Sequence, residues 1–145
     1  MIETKVESLA RVPIRTGVPK SIVNPIKPHL FAGNHEAQLA KAVGVVQFGV
    51  NHVTLDPGAI SSLRHWHEAE DEFVFVLSGE LVLVDDNGEH ALPAGSFAGF
   101  PAGHANAHHL LNKWSAPATF IAVGARKPGS ETIHYPDDAL GPIRK

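Results

Sequence analysis

Two histidines one residue apart, His65 and His67, stand beside four acids, Glu68, Glu70, Asp71 and Glu72, in the stretch SLRHWHEAEDEFVFVLSGE. On an extended chain residues i and i+2 share a face, so both imidazoles point one way and Trp66 the other. Two neutral imidazoles on one face make half a metal site. The same residues also suit a plain polar strand face followed by a solvated acidic loop. EAED reads as a turn, which resets the side-chain parity of the next strand. In FVFVL the face of Val74 and Val76 extends back to Glu72, and that of Phe73 and Phe75 back to Asp71. A carboxylate opening a strand that is apolar on both faces is costly unless paired or ligated. On these grounds either Asp71 or Glu72 qualifies as the companion ligand.

Composition limits the chemistry. There is no cysteine, which excludes disulfides and thiolate ligation. A metal would take imidazole nitrogen and carboxylate oxygen, a set suited to borderline or harder ions. Ten histidines in 145 residues is the one compositional oddity, and several fall between His65 and His109. A net charge of −3 with interspersed signs offers no footprint for nucleic acid or an anionic membrane. No apolar run approaches the roughly 20 residues that span a bilayer. The opening MIETKVESLARVP carries acids and lacks the apolar core of a signal peptide. A soluble, cytoplasmic protein is expected.

The elements that must position these residues are short. A chain of 145 residues, 43% hydrophobic, supports one domain with a real core. Residues 1–35, with Pro13, Pro19, Pro25 and Pro28, read as an extended arm over the domain or a partner. HEAQLAKA, from His35 to Ala42, predicts a short helix with Asn34 as N-cap and Gly44 as its stop. The period then changes to two. VVQFGVNHVTL closes on a Pro57-Gly58 turn, and ISSLRHWH follows as a strand. FVFVL reads as buried on both faces. LVLV and EHAL flank Asp85-Asp86-Asn87-Gly88, a hairpin turn. SFAGF, HHLLN and ATFIAVG complete a set of short strands at even spacing, which argues for an all-β sandwich or barrel across 36–126. Phe48, Phe75, Phe97 and Phe100 are read as core. Residues 127–145 are read as an irregular tail packing on the barrel.

Ordered spacing now resembles a known family. Gly58, six residues, His65-x-His67, four residues, Glu72, six residues and Gly79 closely resemble the first motif of the cupins, with one residue more than usual after the first glycine. Gly95, five residues, Pro101-x-Gly103, then His108 and Asn112 resemble the second. The family's histidine usually comes three positions after the motif's glycine, where this chain has Asn106. His104 and His109 compete for the role. His108 is preferred because His108, Leu110 and Asn112 alternate on one face. The resemblance covers about 45–125, and QFGVNHVTLDPG, LRHWHEAEDEFVFVLSGE and AGFPAGHANAHHLLN are similar to a bacterial group of small cupins without assigned activity. It implies a double-stranded β-helix, or jelly-roll, barrel. It also implies one divalent metal ion (zinc, iron, manganese or nickel) held by His65, His67, Glu72 and His108. His104 and His109 are then rim residues or proton-transfer groups at the pocket mouth. Arg64 and Trp66 point away from the metal, and His52 faces either the lumen or a partner.

The function expected is a metal-dependent enzyme of isomerase, lyase or dioxygenase type acting on a small organic molecule. The alternative is a non-catalytic cupin binding or sensing a sugar-like or carboxylate ligand. A homodimer with crossing N-terminal arms is expected from the resemblance.

Overall fold

The computed structural model describes residues 2–18, 28–138 and 140–145. Within the segment expected to be an arm, Ile14–Thr16 (β1) is an edge strand, and Leu9–Arg11 and Pro28–Phe31 are 3-10 turns. Pro19 and Pro25 lie outside the described residues. β1 pairs antiparallel with Asn34–Gln38 (β2), which pairs in turn with Phe48–Leu55 (β3).

β2 corrects the helix expected over 35–42, because only Leu39–Ala42 (α1) is helical. Four residues of helix are marginal in isolation, whereas the open edge of β3 offers β2 a five-residue ladder. Asn34 is therefore no N-cap. It is buried and its Nδ2 donates to the carbonyls of Ile60 (3.0 Å) and Ser61 (3.2 Å).

The remaining strands are Trp66–His67 (β4), Glu72–Ser78 (β5), Glu80–Asp85 (β6), Gly88–Pro93 (β7), Phe97–Phe100 (β8), His109–Leu111 (β9), Ala118–Ala125 (β10), Thr132–His134 (β11) and Ile143–Arg144 (β12). One antiparallel sheet runs β1-β2-β3-β10-β5-β8, and a second runs β7-β6-β9. β6 and β7 form the hairpin expected at 85–88. The core lies between these two sheets. Val53, Leu55, Val74, Val76, Ala118 and Phe120 meet Leu81, Leu83, Leu92 and Leu110. At Gly79 the chain turns with φ +78°, and a Cβ there would lie 2.8 Å from that of Ala118. Only glycine fits this position.

β5 is not buried on both faces. Val74 and Val76 enter the core, while Phe73, Phe75 and Leu77 emerge on the outer side, 39%, 36% and 46% exposed. A sheet packed on one side has one dry face, and apolar alternation on the other does not bury it. Phe48 and Phe97 lie on the surface as well, so Phe100 alone of the four phenylalanines read as core packs against it.

The tail is more regular than expected. β11 pairs with β4 on one side and β12 on the other, making a third sheet, β12-β11-β4. Ile133 is buried there, opposite His67.

Candidate metal centre

The expected strand ISSLRHWH is regular only at Trp66 and His67, but His65 is tied directly to His108. The amide of each donates to the carbonyl of the other, at 3.2 and 3.0 Å. This bridge sets the two imidazoles side by side, ring centroids 4.9 Å apart, and His67 joins them with its ring 4.9 Å from that of His65. From across the barrel β5 delivers Glu72 on the face of Val74 and Val76, as its parity requires. Asp71, on the other parity, instead accepts the amide of Ala102 at 2.7 Å.

One oxygen gathers three rings. Glu72 Oε1 lies 2.9 Å from His108 Nε2, 3.1 Å from His67 Nε2 and 3.3 Å from His65 Nε2. Burial is the largest influence on Glu72 and favours its neutral form. The imidazoles of His108, His65 and His67 outweigh it and hold the carboxyl well below the usual range. For His67 burial again acts first, lowering the pKa. Glu72, then Glu131 and Glu70, more than reverse it, and the net shift is upward.

His65, His67 and Glu72 bring ligand atoms close enough together to hold a cation, and His108 Nε2 adjoins the same Glu72 oxygen. With the proton of His65 on Nδ1, donated to the carbonyl of Leu63 at 2.8 Å, the Nε2 lone pair is left for a metal. Both ring nitrogens of His67 are buried, and neither is in a hydrogen bond. Its Nε2 is near Glu72 but off the line of a good bond. The face of His108 stacks on Phe100, centroids 3.6 Å apart and 2° from parallel, which fixes the ring plane. Three imidazole nitrogens and one carboxylate oxygen are ligands that iron, manganese, nickel and zinc all accept.

The residues open into a cavity of about 290 Å³, at the small end of ligand sites. Tyr135, Glu36, Asn51 and Ser61 contribute to its wall. The Tyr135 ring lies 5.8 Å from that of His65, and burial, reinforced by Glu72, pushes its hydroxyl pKa up.

Neither residue expected to transfer protons reaches this cavity. His104 is exposed in the turn after Pro101. His109 follows His108 on a strand and so faces the opposite side, where its Nδ1 donates to the Ser62 carbonyl at 2.8 Å. Asn106, at the position usual for the family's histidine, joins the β6–β7 turn through Asp85 and the Asp86 amide. Arg64 points away as expected, paired with Asp137 and Asp86. Trp66 stacks on His134. His52 lies on the outer face of β3, between Asn51 and Val53, which line the cavity. Nothing local in the sequence distinguishes Glu36, Glu131, Tyr135 and Lys145.

An antiparallel jelly-roll barrel with inward histidines and a glutamate defines a class of metal-binding barrels. The Cupin domain family model matches residues 51–124, and the chain belongs to the cupins. A crystal structure of a sugar phosphate isomerase from a cupin superfamily, from Silicibacter pomeroyi, is 44% identical, with a TM-score of 0.84 over 96% of this chain and 90% of that one. A candidate sugar phosphate isomerase from Acidithiobacillus ferrooxidans is 32% identical, with a TM-score of 0.68 over 74% and 69%. The Cupin_2 domain of an XRE family transcriptional regulator from Enterobacter cloacae is 27% identical, with a TM-score of 0.55 over 66% and 98%. A search of curated proteins finds no match to this chain. Among the described residues no helix is long and apolar enough to cross a membrane.

Proposed function

We propose that this chain is a metal-dependent isomerase of a small phosphorylated sugar. The observation that carries the reading is the convergence of three imidazole nitrogens on Glu72 Oε1 at the wall of a small cavity. A divalent ion held by His65, His67, Glu72 and His108 would polarise the carbonyl and hydroxyl oxygens between which an isomerase moves a proton. Tyr135, kept protonated by burial, donates a hydrogen bond to a substrate oxygen. Glu36, outside the ligand set, is the carboxyl on the cavity wall suited to carry the proton between adjacent carbons.

The two sugar phosphate isomerase relatives support the substrate class, and so does charge. A second depression, which shares Asn51, Glu72, Ala122 and Lys145 with this cavity, is lined by Arg126 and Glu70 as well. Neither cation has an acidic partner among the described residues, whereas Arg64 and Lys113 do. The Arg126 guanidinium lies against Gly49, where a Cβ would stand 3.2 Å from Nη2. Such unpaired cations suit a phosphate group.

The test is metal analysis of untagged protein beside His67→Ala and Glu72→Ala, followed by NMR of aldose and ketose phosphates incubated with the loaded form. About one ion per chain in the wild type, lost in both variants, and interconversion of one sugar phosphate pair are expected. Equally little metal in all three proteins sinks the reading. The likeness to a regulator's cupin domain favours a second reading, ligand binding without turnover. Saturable sugar phosphate binding with no product would decide for it.

We propose that a second copy of this chain docks on the outer face of β5 and β8. There Phe97, 64% exposed, stacks with Phe73 and Phe75 at 5.8 and 6.2 Å. Light scattering is expected to give a dimer that Phe75→Ser with Phe97→Ser converts to monomer. A monomeric wild type removes it.

A further inference from the structure

Glu131 is the most deeply buried carboxyl among the described residues, with a side chain 0% exposed, and no step of the proposed isomerisation uses it. It immediately precedes β11. Its place is set by backbone pairing, since the Glu68 amide donates to the Thr132 carbonyl at 3.0 Å and the Lys145 amide to that of Glu131 at 3.0 Å. Its Oε1 accepts the Glu68 amide at 3.1 Å and lies 3.5 Å from His67 Nδ1. Its Oε2 is buried without a partner, as is His67 Nδ1. A carboxylate oxygen with room for a second donor thus lies beside a spare donor position inside the protein, on the side of the ring opposite Glu72.

We infer that Glu131 is the positioning residue of the metal centre: it accepts the Nδ1 proton of His67 and so presents the Nε2 lone pair to the ion. The inference rests on the metal-site reading of His65, His67, Glu72 and His108. An imidazole that binds metal through one nitrogen carries its proton on the other, and a buried carboxylate there fixes the tautomer and raises ligand basicity. Glu70 is the competing acceptor. It is farther, with Oε1 at 3.9 Å from Nδ1, and its Oε2 already takes the Lys127 amide at 2.8 Å. Because Glu131 comes from the tail, the last strand pair and the ion stabilise one another. Loading the site holds β11 on β4, and loosening β11 releases His67.

The experiment compares wild type, Glu131→Gln and Glu70→Gln. The Glu131→Gln variant keeps an oxygen for the Glu68 amide and so preserves the structural contact while losing the charge. Zinc affinity is measured by chelator competition, and the His67 tautomer by long-range nitrogen–proton NMR of metal-free protein at pH 9. Expected are one zinc per chain, an affinity loss of roughly 10- to 100-fold in Glu131→Gln, little change in Glu70→Gln, and an Nδ1–H tautomer in the wild type that Glu131→Gln depletes. Equal zinc affinity and tautomer in wild type and Glu131→Gln overturn the inference while leaving the metal site standing. A larger loss in Glu70→Gln transfers the role to Glu70. Two zinc ions per chain, one lost with Glu131, would make His67, Glu70 and Glu131 a second metal site and overturn it too. A wild type that binds no zinc fails the metal reading instead, and the NMR tautomer then decides the Glu131 contact by itself.

Discussion

Replacing Glu72 by Gln keeps a carbonyl oxygen among the three imidazoles and removes only its charge. In metal-free protein the size of the loss is set by the contacts of Oε1. A hydrogen bond to a charged acceptor contributes about 1 kcal/mol more than one to a neutral acceptor. Three nitrogens face the oxygen, and His108 at 2.9 Å makes the shortest contact. A cost of about 1–2 kcal/mol is expected, or about 4–8 °C in Tm for a chain of this size. The sign depends on pH. The pKa of Glu72 is lowered on folding, so its stabilisation is complete above 4.5 and disappears as pH falls through the folded value. The pKa of His67 is raised, so its stabilisation is complete below 6.5 and is lost as pH rises through the folded value. The two overlap fully between 4.5 and 6.5, and calorimetry near the middle of that window should show the largest difference. Zinc at about a hundred times its Kd should then add about 2.7 kcal/mol, or about 10 °C, to the wild type, and far less to Glu72→Gln. A variant that melts with the wild type in that window, and gains as much from zinc, would refute the reasoning.

Truncating Phe100 to Ala removes the surface on which His108 stacks. A loss of about 2–3 kcal/mol in urea denaturation is expected, with weaker zinc binding, and Phe100→Leu should recover part of both. Burial, the main cause, and the charges of Arg64 and His65 lower the pKa of His109. Its stabilising effect is therefore complete above 6.5 and fades as pH falls through the folded value, a slope that His109→Gln should flatten in urea titrations compared across pH. Gly79→Val forces a side chain onto Ala118 at positive φ, and a Tm fall of at least about 8 °C is expected. Arg126→Gln should raise KM for a phosphorylated sugar with little change in kcat, and an unchanged KM would remove Arg126 from substrate binding.

The parity argument put Glu72 on the face of Val74 and Val76 because a strand's two faces are set locally, and it left Asp71, on the other face, equally eligible. It could not see that the outer face carries Phe73, Phe75 and Leu77 into solvent, since apolar alternation looks the same whether the neighbour is a core or water. Residues 35–38 have good helix formers. Their fate was decided by the edge of β3, which comes later in the chain. Glu131 had no signal at all. Its burial depends on a three-residue strand pairing with a two-residue strand more than sixty positions earlier, and neither is long enough to show a period. His104 and His109 were plausible by type, but alternation beside His108 turns one away and a turn exposes the other. The residues that converge on Glu72 were legible because motif spacing carries them, whereas the cavity wall is assembled from segments whose meeting is tertiary.

The paired amides of His65 and His108 separate scaffold from chemistry. The peptide groups, not the imidazoles, splice the two segments together, so a side chain at either position can be exchanged while the splice holds. The centre is accordingly a socket with interchangeable pins. Converting His65 or His108 to a carboxylate, or to a side chain that ligates nothing, should retune ion preference or empty the site while the barrel stays folded, so chemistry at this centre can drift without the fold having to change.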